Sequence, residues 1–168
     1  MDLYLEKIWS IYKIKKLEEK DIKDIYNLCK ENTKYYEYYK EKPTFNNIKE
    51  IFTALPYNMT IKDKFFVGFY KENKLIAILD LITNYPNENS VYIGLFMTNK
   101  NIQNKGIGSK IIEELCNTLK NQGFNNIELA YIEDNIEAKN FWLKNKFSHN
   151  NKSSKLDNYN VICMFKKL

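Results

Sequence analysis

One histidine and three cysteines are all that this 168-residue chain offers a metal in imidazole or thiolate. Cys29, Cys116 and Cys163 stand far apart, each inside an apolar pattern, and His149 lies in a polar segment. Zinc sites use closely spaced ligands, so no metal site is expected, and a cysteine nucleophile would lack an imidazole to activate it. All three cysteines read as buried thiols. Long apolar runs are missing as well. No stretch approaches the ~20 residues of a membrane span, and Asp2, Glu6 and Lys7 interrupt the start where a secretion signal would carry an apolar block. A cytoplasmic protein with no membrane partner is expected. Basic clusters are absent too: the net charge is +5, and the lysines are spread rather than gathered on an arm or stripe. That distribution argues against a nucleic-acid surface and leaves a mild attraction for anions.

What is there suits one folded domain spanning residues 1–168, because 44% hydrophobic and 15% aromatic content argues against disorder. Tyr12 and Ile14 alternate with lysines as in a half-buried strand, and Ile22, Ile25, Tyr26 and Cys29 recur at helical spacing. After the tyrosine-rich segment Tyr35 to Tyr39, a second helix is expected from a cap at Asn46 or Asn47 to Leu55, before Pro56. Phe65 to Tyr70 and Leu75 to Ile82 read as a hairpin, and Val91 to Met97 continues the sheet after the Tyr85-Pro86-Asn87 turn. A helix from Ile107 stops at Gly123, a strand holds Ile127, Leu129 and Tyr131, and Asn135 can cap a helix containing Ala138, Phe141 and Trp142. Val161 to Phe165 closes the sheet, with room for a further short strand near Phe147. The predicted class is α/β: a mixed, mostly antiparallel central sheet flanked by helices, in the order β-α-α-β-β-β-α-β-α-β.

Gln103-Asn104-Lys105-Gly106-Ile107-Gly108 sits between a strand and a helix and reads as an anion cradle. Glycines let the backbone approach a ligand, and amides entering a helix are unpaired donors at its positive end. The better-known nucleotide motifs fail on spacing. A dinucleotide fingerprint wants a third glycine where Ile111 stands, and a P-loop wants Gly-Lys-Ser/Thr where the order is Gly108-Ser109-Lys110. A plain strand-to-helix turn is the remaining alternative.

With these residues in view, the chain resembles the Gcn5-related N-acetyltransferases (GNAT). The glycine loop matches their Gln/Arg-x-x-Gly-x-Gly/Ala signature, and Asn135, Ala138, Phe141, Trp142 and Phe147 match a second signature, Asn-x-x-Ala-x-x-Phe-Tyr followed by Gly-Phe. Asp80-Leu81-Ile82, Tyr85-Pro86 and Ile93-Gly94-Leu95-Phe96 are similar to a bacterial subgroup of unassigned substrate. The resemblance implies the acyl-CoA N-acyltransferase fold, acetyl-CoA as cosubstrate and a small-molecule or peptide amine as acceptor, in a monomer or homodimer. It places the pantetheine arm along Phe96, Met97 and Thr98, and the pyrophosphate on the amides of Asn104 to Ser109, with Gln103, Lys105, Gly106, Ile107 and Gly108 in the loop. Asn135 would bond the arm and Phe141 flank it; a helix cap and a core residue are the alternatives.

The same resemblance assigns the oxyanion to the N–H of Met97. Where relatives carry an acidic tyrosine this chain has Trp142, which donates but cannot usefully exchange a proton and suits the core. Tyr131, Tyr92 or water is left to protonate the thiolate. Strand positions where relatives place a glutamate hold Tyr92 and Ala130, so Asp80, with Tyr85, is the candidate to bind or deprotonate the amine. A strand-end acid accepting backbone bonds in the neighbouring turn is the alternative for Asp80. Trp142 and the missing glutamates also admit a non-catalytic CoA-binding regulator or sensor of the same fold.

Overall fold

The computed structural model describes residues 12–168. Among these residues seven strands, β1 (Lys13–Lys16), β2 (Lys64–Lys71), β3 (Lys74–Thr83), β4 (Ser90–Thr98), β5 (Asn126–Ile132), β6 (Ser148–Lys155) and β7 (Asn160–Lys167), form one sheet ordered β1-β2-β3-β4-β5-β7-β6. All neighbours are antiparallel except β4 and β5. Five α-helices accompany it: α1 (Ile22–Glu31), α2 (Thr33–Tyr39), α3 (Phe45–Ile51), α4 (Ile107–Asn121) and α5 (Ile136–Lys144). The mixed, mostly antiparallel sheet flanked by helices is as expected.

Strand alternation sends successive side chains to opposite faces, and each face has its own core. Leu79, Leu81, Val91 and Ile93 pack with Ile111, Ile112, Leu115 and Leu119 of α4 and with Trp142 of α5. Phe66, Ile78 and Met97 pack instead with Ile25, Leu28 and Cys29 of α1 and Ile48 of α3. Asp80, two residues from Ile78, therefore belongs to the α1–α3 face. It lies inside β3, nine of whose ten residues are buried, rather than at a strand end.

The strand that shapes the site is β4. It runs beside β5 only along Ser90–Ile93, whereas β5 continues along β7 as far as Ile132. The register places Leu81 opposite Ile93 but Asp80 opposite Leu95, so Gly94 is an extra residue on β4. Such a bulge bends its strand, and beyond it β4 splays away from β5.

Several local expectations need correction. The tyrosine-rich segment forms α2, in which Tyr35 and Tyr39 stack one turn apart at 5.9 Å. Neither Asn46 nor Asn47 caps α3; extended Thr44 does, its Oγ accepting from the Asn47 amide at 3.1 Å. That helix ends at Ile51, not Leu55, and the Ala54 carbonyl beyond it accepts from the Lys64 ammonium at 3.0 Å. The short strand expected near Phe147 is the eight-residue edge strand β6, whose polar sequence shows no alternation because both faces are largely exposed. Cys163 is only partly buried, unlike Cys29 and Cys116. Among the described residues no cluster of three metal-ligating side chains forms, and no helix is long and apolar enough to cross a membrane.

Candidate functional site

Gly106 precedes α4 in the left-handed conformation, φ 78°, and no side chain caps the helix. The first amides of α4 are thus left for an outside acceptor at the positive end of a 15-residue helix. A β-carbon at Gly106 would meet nothing within 4 Å, so this glycine serves backbone conformation and open space. At Gly108 the reason differs. A β-carbon there would stand 3.2 Å from the Phe141 ring, so the second glycine lets α4 and α5 close together. Asn104 also has positive φ, Ser109 Oγ accepts from Asn145 at 3.2 Å, Ile107 packs on the core, and Lys105 is exposed.

A cleft of about 850 Å³ runs from this turn along the open side of β4, lined by Phe96, Met97, Thr98, Gln103, Asn104, Gly106, Gly108, Ser109, Asn135 and Phe141. Its backbone polarity follows from one bond. The Asn99 amide donates to the Ile76 carbonyl at 2.7 Å, and antiparallel pairs alternate, so Met97, opposite Ile78, also turns its N–H toward β3. Phe96 and Thr98 turn theirs into the gap. The outward Thr98 carbonyl agrees, accepting from Asn32 at 3.1 Å and Gln103 at 3.2 Å. The Met97 N–H, expected to face the cofactor, thus points into the sheet, and the outward amides here are those of Phe96 and Thr98.

Asn135 and Phe141 both line this cleft. The Asn135 side chain, 7% exposed, accepts from the Ala138 amide at 2.9 Å and so caps α5, which leaves its amide nitrogen for a second partner. Phe141 stacks on Phe96 at 5.8 Å. Trp142 is 6% exposed and packs edge-on against Phe141 and Phe147, as a core residue whose edge reaches the cleft. From α2, Lys34 pairs with Glu137 of α5, and the Tyr38 hydroxyl donates to the same carboxylate at 3.1 Å, across the cleft.

A second cleft, about 570 Å³, meets the first at Tyr35, Phe96, Asn135, Ala138 and Trp142. Asp80, Tyr92, Gly94 and Tyr131 line it, while Tyr85 lies outside its lining and meets Tyr92 edge-on at 5.5 Å. Asp80 Oδ2 accepts from Lys64 at 2.7 Å, the two side chains being 8% and 2% exposed. Asp80 Oδ1 is buried with no hydrogen-bond partner. Burial pushes the Asp80 carboxyl up to about 6, against the pull of Lys64. Burial likewise raises the phenols of Tyr131 and Tyr92, the latter to about 12, so both are protonated donors rather than bases. Lys64, Asn32 and Glu137 carried no motif signal; their roles come from cross-strand register and from contacts between distant segments.

The family model described as Acetyltransferase (GNAT) family matches residues 20–147. No curated protein matches the sequence. Among solved structures, an acetyltransferase from Thermus thermophilus superposes with a TM-score of 0.76 at 15% identity, over 94% of this chain and 97% of that one. The ribosomal-protein-S18-alanine N-acetyltransferase of Escherichia coli gives 0.68 at 12% identity, covering 93% of each. The PaiA N-acetyltransferase of Thermoplasma acidophilum, solved in complex with coenzyme A, gives 0.64 at 17% identity, over 94% and 99%.

Proposed function

The chain belongs to the GNAT family of acetyltransferases, and from that premise we propose that it moves the acetyl group of acetyl-CoA directly to a primary amine of a small molecule or peptide in a ternary complex. One observation carries the reading: the gap beside β4 ends on the glycine turn at one side and opens into the Asp80 cleft at the other. A donor and an acceptor can thus meet at Phe96, Asn135 and Trp142.

Acetyl-CoA supplies an activated thioester, and PaiA is a fold relative solved with coenzyme A bound. Here the amides of Asn104 to Ser109 suit its pyrophosphate, and the outward edge of Phe96 and Thr98 suits the amides of its arm. The Phe96 N–H, fixed before the substrates arrive, stabilises the oxyanion. Asp80 binds the ammonium and takes its proton, freeing the nitrogen lone pair to attack as the C–N bond forms and the C–S bond breaks. Tyr131 or Tyr92 gives a proton to the thiolate, as water also can, and is restored by the second proton that the nitrogen loses as the amide forms, while Tyr85 braces Tyr92. The whole chain acts as one domain, in the cytoplasm.

Release of free CoA thiol across a panel of amines tests the reading. Amine-dependent release at a rate above hydrolysis supports it; acetyl-CoA binding with no turnover of any amine favours a CoA-binding regulator, with Trp142 in place of the tyrosine acid.

A further inference from the structure

The second cleft is built from neutral aromatic surface around a single acid. Tyr35, Tyr36 and Tyr39 of α2 line it together with Tyr92, Tyr131 and Tyr159, and the Tyr39 and Tyr159 rings meet at 5.3 Å. Burial raises the phenols of Tyr35, Tyr36, Tyr92 and Tyr159, so these walls carry no charge. Glu41, Glu128 and Glu133 act on these tyrosines from outside the lining. Among the described residues, Asp80 and Lys42 are the charged side chains that line the cleft. Asp80 is already half satisfied by buried Lys64, which also holds the Ala54 carbonyl.

The electrostatic consequence is selective. One carboxylate oxygen without a donor can take one ammonium, and a second ammonium would find Lys42 and phenol rings but no acid. Rings favour an aromatic or aliphatic body, with stacking and cation–π contact as added attractions. Gly94 makes room for that acid, because a β-carbon there would stand 2.7 Å from Asp80 Oδ2.

Resting on the acetyltransferase reading, we infer that the acceptor is a small primary amine with a single positive charge and an aromatic or aliphatic body, anchored on Asp80 beside Gly94. Polyamines and aminoglycosides are rejected by the same arrangement. Thiol release is measured for 2-phenylethylamine, tyramine and tryptamine against spermidine and kanamycin, with acetyl-CoA binding measured separately by calorimetry. The expected result is a kcat/KM for the best monoamine more than about tenfold above either polycation. Gly94→Ala, whose β-carbon must push the Asp80 carboxylate from its present position, should raise KM for that monoamine at least about fivefold while the acetyl-CoA dissociation constant stays within about twofold. A preference for spermidine or kanamycin, an unchanged amine KM in Gly94→Ala, or acetyl-CoA binding with every monoamine refused would overturn the inference and leave the donor assignment standing. Failure to bind acetyl-CoA would instead remove the reading beneath it.

Discussion

Lys64 and Asp80 bring two charges out of water, and one of the carboxylate oxygens finds no donor. Buried pairs of this kind seldom add stability over apolar replacements, and an unsatisfied oxygen costs a further ~1–3 kcal/mol, so the pair is better explained by a site than by the fold. Of the four buried, unpartnered polar atoms among the described residues, only Asp80 Oδ1 belongs to a charged group, and only its residue lines a cleft. Amine binding needs the carboxylate form. Because the Asp80 carboxyl is raised to about 6, kcat/KM for the amine should fall as pH drops through that value and be maintained above it. Lys64 favours the ionised form, so Lys64→Met should move the acidic limb to higher pH, read from a pH–rate profile. Asp80→Asn should lower kcat/KM at least about 100-fold, with circular dichroism checking that the fold survives the unpaired lysine. Lys146 offers an independent check on the backbone. It follows α5 with φ 65°, a left-handed conformation that favours glycine, and its N–H and that of Phe147 close the helix on Leu143 and Trp142. Lys146→Gly should relieve about 1 kcal/mol of strain and raise the melting temperature by a few degrees without changing activity.

At the scale of elements, α4 and β4 wall the cleft proposed for the donor, and α2 lines its other side. The α2–α5 bridge of Lys34 and Tyr38 to Glu137 is exposed and adds little to stability. Its position across the cleft suggests control of donor exchange instead. Glu137→Gln should raise the acetyl-CoA off-rate several-fold in stopped-flow while the melting temperature stays within experimental error; an unchanged off-rate would assign the bridge to the surface alone. The bulge at Gly94 explains why β4 leaves β5 halfway along its length, and it places the acid of β3 beneath the point of separation.

Across the whole molecule, much of the fold was legible because periodicity survives where one face is buried. The hairpin of β2 and β3 and the apolar stripe of α4 are such cases. Segment α2 was illegible as a helix because its residues are aromatic and held by stacking, and β6 because an edge strand exposed on both faces needs no alternation. The cradle was readable from glycine spacing, since a side chain would be strained at the positive φ of Gly106 and tight against Phe141 at Gly108. The direction of the Met97 amide was not, because it depends on register across two strands, and the partner of Asp80 comes from the other arm of its hairpin, where no motif marks it. The claim on which the rest depends is that the glycine turn and the β4 gap hold acetyl-CoA. Calorimetric titration of acetyl-CoA into the parent protein and into Gly106→Glu, whose new side chain meets open space but brings negative charge to the cradle, tests it. The account predicts binding on the order of 1–100 μM for the parent and none for the variant at equal folded fraction; equal affinities, or no binding by the parent, would contradict it.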